Sequence, residues 1–475
     1  MRPAIASIGL LFAATTLAAQ SNLTPHQQAA REIYRELISI NTADSVGSVT
    51  KAAEAMAARF RAAGFPAADV KILTPPGKPT KGNLVVRYRA RGAGAAKPIL
   101  LLAHLDVVAA RREEWPRDPF TMVEENGYFY GRGTADDKAM AAAFVANVLR
   151  YKTEGWTPQR DLILALTADE EGGDANGVEW LIQAHRDVID AAYAINEGGG
   201  GTLDGPGLNA RPLFHSIQAA EKVYTDFTIT ATNPGGHSSV PRPDNAIYQV
   251  AKALARLSDF RFPVELNPTT RAFFEQTAKV EKPEIAAAMR AIAANPRDSV
   301  ASATLSKDAR YNSMLRTTCV ATRLAGGHAY NALPQTASAN VNCRMAPTSS
   351  SEIVRATLAR VIADTGVKIT FTQGTGPAFP KAVPPIEPAV LAAATDITKR
   401  MFGDIPVVPT MSTGATDGHW LRAAGIPTYG VSGIFSSPGE TNTHGRDEKL
   451  RVKSFYDGVE FLDQLVRRLA GGAQP

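Results

Sequence analysis

His104 and Asp106 stand two residues apart in "LLAHLDVVAA" (101–110), where an apolar run that reads as a buried strand gives way to polar groups. Asp136 and Asp137 sit in "GRGTADDKAM" (131–140), a glycine-bearing turn that leads into a helix. Glu170 and Glu171 stand in "LTADEEGG" (166–173), and Glu197 falls in "AAYAINEGGGG" (191–201), each after a strand-like run. Carboxylates gathered in one crevice raise one another's pKa unless a cation neutralises them. One or two divalent metal ions remove the conflict. Imidazole and carboxylate without thiolate suit zinc, with manganese or cobalt as substitutes. If Asp136 bridges two ions about 3.5 Å apart, the pair holds water, lowers its pKa and polarises a carbonyl.

Each residue alone has a plainer reading. His104 fits a satisfied core histidine and Asp106 a turn cap. Asp136 and Asp137 fit an N-cap pair for the helix that begins near Lys138. Glu170 and Glu171 fit solvated neighbours, and Glu197 fits a loop acid. Only their joint spacing selects a metal site.

The elements that carry these residues alternate. Thr24 to Phe65 has helical spacing with a break at Asn41-Thr42; strands follow at 82–88, 98–103, 161–168 and 191–196, with helices at 138–150 and 178–185 between them. Short apolar strands alternating with helices define an α/β domain with a largely buried sheet. Four strand ends are expected to deliver the acids and the imidazole to the edge beyond the carboxyl ends of the strands, where such sheets form their sites. Near residue 215 the texture changes. Val223, Phe227, Ile229 and Ala231 alternate with threonines, the period of a half-exposed strand. A helix at 245–257, a polar helical stretch at 265–310, two strands about Gly326-Gly327, a helix at 351–365 and a strand at 368–372 complete a second, α+β unit. Helical patterns resume past Pro384-Pro385 and end in the stripe Phe455, Val459, Leu462, Val466 and Leu469. The first domain is thus interrupted by an inserted one.

Composition narrows the function. The chain has 475 residues, 44% hydrophobic and 20% charged, which suits two globular domains. Its net charge of +5 is spread without basic blocks, so neither nucleic acid nor a membrane surface is an expected partner. Arg2, the apolar segment from Ala4 to Phe12 and small residues through Ala19 read as a signal peptide cleaved before Gln20. Export to the periplasm or beyond is expected, with no stable membrane association afterwards. The rival, an uncleaved anchor, sits at the lower limit of about 17 residues for spanning a bilayer. The two cysteines, Cys319 and Cys343, exclude a thiolate zinc cluster. They flank the Gly-Gly turn and a bridge across paired strands is conceivable; two reduced, buried thiols are the plainer reading.

Eight ordered motifs, "AHLDVV", "GRGTADDK", "ADEEGG", "NEGG", "GGHSSVP", "GGHAYNALP", "GATDGHW" and "THGRDEKL", resemble those of the M20 metallopeptidases, the family of di-zinc aminoacylases, dipeptidases and carboxypeptidases. The resemblance runs from about residue 30 to 470. It implies a zinc-peptidase-like catalytic domain, a buried mixed sheet flanked by helices, interrupted by an α+β lid and dimerisation domain. The expected division is 1–19 signal peptide, 20–216 and 379–475 catalytic, 217–378 lid.

The same resemblance assigns roles. His104 and Glu197 hold one zinc ion, Glu171 and His444 the other, and Asp136 bridges. Asp106 orients the His104 imidazole. Glu170, adjacent to a ligand but itself unbound, is the general base that passes a proton from water to the leaving amine. His237 of "GHSS" stabilises the oxyanion, often from the partner subunit, and Asn331 and Arg344 hold substrate. A homodimer through the lid follows, although larger relatives complete the site within one chain. Asp417 matches a motif near the active site; His419, His328, His215, His185 and His26 match no role.

Glu at position 197 is the residue of carboxypeptidase and deacylase relatives, where aminopeptidase types carry Asp. With Arg344 as a carboxylate clamp, it favours C-terminal peptide bonds or N-acyl amino acids as substrates. Some carboxypeptidase relatives place a further arginine where "GPAFPKAV" (376–383) offers Lys381, which cannot form a bidentate fork. The alternatives are a dipeptidase that requires a free amine and, from another class, an inactive binding protein of the same fold, whose mark would be a lost ligand or base. None is lost.

Overall fold

In the computed structural model the description covers residues 23–92, 96–372, 383 and 385–471. The segment read as a signal peptide lies outside them, as does Lys381. No helix among the described residues is long and apolar enough to cross a membrane.

Thr24 opens the first helix, Pro25–Ser39, with a capping box: its side chain accepts from the Gln27 amide while the Gln27 side chain returns to the Thr24 backbone. After the break at Asn41-Thr42 a second helix, Val49–Ala62, starts at the Ser48 cap. The first helix packs on the helix Lys138–Thr153, and the second lies on a ten-stranded sheet whose centre is four neighbouring parallel strands. These are, in order, Leu162–Thr167, Ile99–His104, Tyr193–Asn196 and Thr428–Gly430. Every residue of the four is buried, which is why they read as continuous apolar runs rather than alternating ones. Ile99, Leu101 and Ala103 enter the core on one face; Leu100 and Leu102 enter the core on the other.

The helix Lys138–Thr153 is buried almost all round, so its alanines let it sit between the sheet, the first helix and the last. That last helix, Val452–Ala470, buries Phe455, Val459, Leu462 and Val466. Helices Gly177–Ala184 and Gly418–Ala423 cover the opposite face through Val178, Leu181 and Leu421.

Strand Pro212–Glu221 of the large sheet runs through Lys222 directly into Val223–Thr232 of a second sheet. The second sheet is four-stranded and antiparallel, in the order Thr318–Gly326, Thr336–Met345, Val223–Thr232, Val367–Phe371. Helices Ala246–Asp259 and Ser351–Ile362 cover one of its faces. Phe227, Ile229 and Ala231 are buried there while Thr228 and Thr230 stay half exposed.

Two features differ from the sequence reading. Cys319 and Cys343 are joined in a disulfide, not held as two reduced thiols. They are direct partners across antiparallel strands, with Cα atoms 4.1 Å apart. The stretch read as polar, around 265–310, forms four helices, Pro268–Thr277, Pro283–Ala294, Ser299–Leu305 and Ala309–Leu315, with a core of their own. Phe273, Phe274, Met289, Ile292 and Leu305 fill it and pack on Phe214 and Val408 of the large sheet.

His215 is buried under three phenylalanine rings, of Phe402, Phe435 and Phe461. Its Nε2–H donates to the Ser432 carbonyl (2.6 Å), so Nδ1 accepts from the Thr398 hydroxyl (2.7 Å). Burial pushes this imidazole down to about 4. The unfolded chain therefore takes up a proton near 6.5 that the folded one refuses, and stability falls as the pH drops from 6.5 towards 4. At 1.36 kcal/mol per unit this contribution is about 3 kcal/mol. The stability advantage of the parent over His215→Gln should shrink by about that amount across this window in denaturant unfolding; a constant difference would contradict it.

Candidate metal centre

Three of the cluster's segments leave the carboxyl ends of adjacent parallel strands. His104 is the last residue of its strand, Glu170 and Glu171 follow Leu162–Thr167, and Glu197 follows Tyr193–Asn196. Asp136 departs from the expected fourth strand end: it comes from the turn before helix Lys138–Thr153, beyond a strand (Tyr128–Tyr130) of a separate small sheet. Asp137 occupies the N-cap position of that helix but makes no capping hydrogen bond through its side chain, so the capping reading of this pair is not realised. His444 enters from the loop after Phe435–Ser436.

The geometry centres on Asp136. One of its oxygens lies 3.0 Å from Nε2 of His104 and the other 3.1 Å from Nε2 of His444. Nε2 of His444 is also 2.9 Å from the Glu171 carboxylate, and Nε2 of His104 is 3.8 Å from that of Glu197. Two donors each about 2.0–2.1 Å from a tetrahedral zinc ion lie roughly 3.3 Å apart, so these spacings suit shared ions. Donor atoms of His104, Asp136 and Glu171 lie within 4.8 Å of one another, as do those of His104, Glu170 and Glu197.

Electrostatics point the same way. Burial pushes the carboxyl of Glu170 up to about 9, with Asp417, Glu171 and Asp106 adding to the rise. Burial and Asp136 bring Glu171 to about 7. Glu197, buried beside Glu170, Asp137 and Asp136, is raised well above the carboxylate range. Burial opposes charge on Asp136, yet His104 and His444 hold it well below that range. The contact with Asp136 carries His444 to about 9. Burial also opposes charge on His104, but Glu197, Asp106 and Asp136 outweigh it and raise this imidazole. The cluster thus draws positive charge onto its imidazoles. Oε1 of Glu197 and Oδ2 of Asp137 are buried with no hydrogen-bond partner. Unpaired buried carboxylate oxygens are costly, and a cation satisfies them. The residues therefore fit a metal centre.

Their supports are local. Nδ1 of His104 donates to the Asp106 carbonyl (3.0 Å), which turns Nε2 into the cluster; the Asp106 carboxylate is 3.6 Å away. That carboxylate accepts from the amides of Glu170 (3.2 Å) and Glu171 (2.9 Å), so Asp106 fixes the two-acid turn as well as the imidazole. Asp169, with a left-handed φ of 60°, pairs with buried Lys81 and stabilises the same turn. Asp417 is buried and accepts from Asn176 (2.7 Å) and Thr167 (3.1 Å), a role in structure beside the acids. After Glu197 the chain turns through Gly199 (φ 65°), where a Cβ would stand 2.3 Å from the Gly430 carbonyl oxygen.

The substrate residues expected in the lid are not drawn into the cluster within this chain. His237 is exposed, and its Nδ1 accepts from Ser239 (2.7 Å to Oγ). Asn331 is exposed in the turn just before the short strand Ala332–Leu333, its carbonyl accepting from the Ser238 amide. Arg344 lies over the Tyr224 ring at 4.7 Å.

Sequence reasoning missed Glu448 and Arg132. Glu448 is fully buried and accepts from the amides of Gly133 (3.2 Å), Ala135 (2.7 Å) and Asp136 (3.2 Å), and from Arg132 (2.6 Å). The available signal was charge inside two site motifs, "GRGTADDK" and "THGRDEKL", without a ligand role. Lys138 is likewise buried; its Nζ donates to the carbonyls of Leu37 (2.9 Å) and Ile40 (2.8 Å).

Residues 100–468 match the model of peptidase family M20/M25/M40, and the chain belongs to that family. It is 29% identical over 404 residues to a probable carboxypeptidase S-like protein of Dictyostelium discoideum, covering 81% of this chain and 74% of the relative. It is 27% identical over 388 residues to the human N-fatty-acyl-amino acid synthase/hydrolase, covering 80% and 75%. Among solved structures, an M20 family metallo-carboxypeptidase from Sulfolobus solfataricus superposes with a TM-score of 0.67 at 18% identity, covering 92% of this chain and 98% of the other.

Proposed function

We propose that this chain hydrolyses amide bonds next to a free α-carboxylate, either C-terminal peptide bonds or the acyl bond of N-acyl amino acids. The observation that carries the reading is Asp136, whose two oxygens face two different imidazoles, His104 and His444. When bound, two divalent ions supply Lewis acidity and make water a nucleophile near neutral pH. Zinc is the favoured ion because the donors are imidazole and carboxylate, with cobalt or manganese able to substitute. His104 and Glu197 would hold one ion and Glu171 and His444 the other, with Asp136 contributing to both.

The chain's own residues do the proton work. Glu170 lies beside His104 and Glu197. Burial and the acids around it raise its carboxyl to about 9, and beside the charge of bound ions it would return to the ionised form, which takes the proton of the attacking water. It then donates that proton to the leaving nitrogen, so the amide departs as a neutral amine. Asp106 holds Glu170 in place through its amide. Glu197, the residue type of carboxypeptidase and deacylase relatives, supports a carboxylate-bearing substrate, and the carboxypeptidase-like and acyl-amino acid relatives agree with it.

A substrate screen with zinc-loaded protein tests this. N-acetyl amino acids and N-blocked dipeptides with a free carboxylate are expected to be cleaved, and their C-terminal amides spared. Preference for free dipeptides over N-blocked ones would favour the dipeptidase reading instead.

The proposal extends to export and to a homodimer. The apolar N-terminal segment supports export, and so does the disulfide, since such bonds persist in oxidising compartments. N-terminal sequencing of the mature protein is expected to begin at Gln20; an intact Met1 would contradict it. For the dimer, His237 is exposed and free of the cluster of its own chain, as a residue serving a partner's site would be. Mixing His237→Ala with Glu170→Gln chains should restore activity in the heterodimers. No recovery in confirmed heterodimers would assign His237 to its own chain.

A further inference from the structure

We infer that the buried Glu448–Arg132 pair is a positioning device that sets the distance between Asp136 and His444, and with it the affinity of the ion these two share. The inference rests on the two-ion reading above and goes beyond its ligands.

Asp136 and His444 are 308 residues apart and belong to two irregular segments, neither of them on the sheet. Glu448 and Arg132 tie those segments together. The Glu448 carboxylate accepts from three amides of one turn, of Gly133, Ala135 and Asp136, and so grips the backbone that carries the bridging acid. Arg132, paired with Glu448 at 2.6 Å, extends its other nitrogen to the carbonyls of His444 (3.2 Å) and Gly445 (3.1 Å). Both side chains are almost fully buried, at 3% and 0% exposure, where such a pair is rigid and its loss is felt. The Trp115 ring lies 5.1 Å from the guanidinium carbon and closes the remaining side.

The backbone of the His444 loop needs such a hold. Asn442, His444 and Asp447 all have left-handed φ values, of 50°, 64° and 61°. Non-glycine residues adopt that region at a cost, and they keep it where surrounding contacts over-determine them. Arg132 supplies two of those contacts at the ligand itself. A second guanidinium, Arg117, holds the far end of the loop through Asp447 at 2.9 Å and lies 4.1 Å from the Tyr130 ring. The hydrogen bonds of Glu448 and Arg132 reach the backbone of Asp136 and His444 rather than their ligand atoms, so the pair acts through these two residues.

Zinc titration of the metal-free full chain against a chromophoric chelator tests the inference, with His444→Ala identifying which of two binding steps belongs to the shared ion. Glu448→Gln is expected to weaken that step roughly 10- to 100-fold, the usual cost of an outer partner of a metal ligand. The step that survives in His444→Ala should change several-fold less. Arg132→Lys, which keeps the buried charge but not the fork that spans Glu448 and two carbonyls, should act alike and serves where Glu448→Gln fails to fold. Unchanged affinities, or both steps weakened by one common factor in parallel with a lower unfolding midpoint of the metal-free protein, would make the pair merely structural and overturn the inference. A parent protein that binds fewer than two zinc ions would overturn the two-ion reading itself.

Discussion

Glu170→Gln is expected to keep both metal ions and to lower kcat by roughly 10²- to 10⁴-fold, the share a positioned proton-transfer group supplies. Glutamine matches glutamate in size and leaves the amide that Asp106 holds untouched. What disappears is the carboxylate that accepts the proton of water and returns it to the leaving nitrogen. KM should move little, because Glu170 acts in the transition state rather than in binding. The neighbour is the control. Glu171→Gln removes a contact of His444 and should cost metal as well as turnover. Metal content by mass spectrometry beside steady-state kinetics separates the two. Full activity in Glu170→Gln would reject its role as base, and loss of metal would make it a ligand instead.

Asp136→Asn is expected to abolish activity and to weaken both ions by more than the roughly 10- to 100-fold that an outer partner costs. Among the described residues, Asp136 alone places carboxylate oxygens within 3.1 Å of both imidazoles. The amide keeps the shape of the side chain but removes the negative charge shared between them, and its NH2 group turns a donor towards one of them. A secondary result follows from the pKa pattern. His444, held near 9 by Asp136, should titrate closer to its ordinary value in the metal-free variant, readable by NMR. Retention of two ions at parental affinity would show that Asp136 does not bridge.

The site was more legible than its scaffolding. His104, Glu170, Glu171 and Glu197 stand at the ends of strands buried on both faces, where a polar side chain after an apolar run has no structural reason to be there. Asp136 was legible as an acid in a glycine turn before a helix, but was counted as a fourth strand end of the large sheet, because local sequence does not report that the strand before that turn belongs to a separate small sheet. His444 came from the likeness of a whole motif. Glu448 and Arg132 were invisible for a different reason: their work is done on backbone groups 312 to 315 residues away, and no spacing rule reports that. The four helices between Pro268 and Leu315 read as polar because each, at 7 to 12 residues, is too short to display a full apolar stripe. Their core exists only when they meet. Cys319 and Cys343 could be placed on facing strands from the turn between them, but pairing residue for residue depends on register, which the strands' own sequences leave open.

The central claim is that acids and imidazoles too crowded to coexist bare are reconciled by two shared cations. Anomalous diffraction from zinc-loaded crystals, recorded on either side of the zinc absorption edge, tests it most directly. Two peaks are predicted, one between His104 and Glu197 and one between Glu171 and His444, both against Asp136. A single peak, or none within reach of Asp136, would contradict the account.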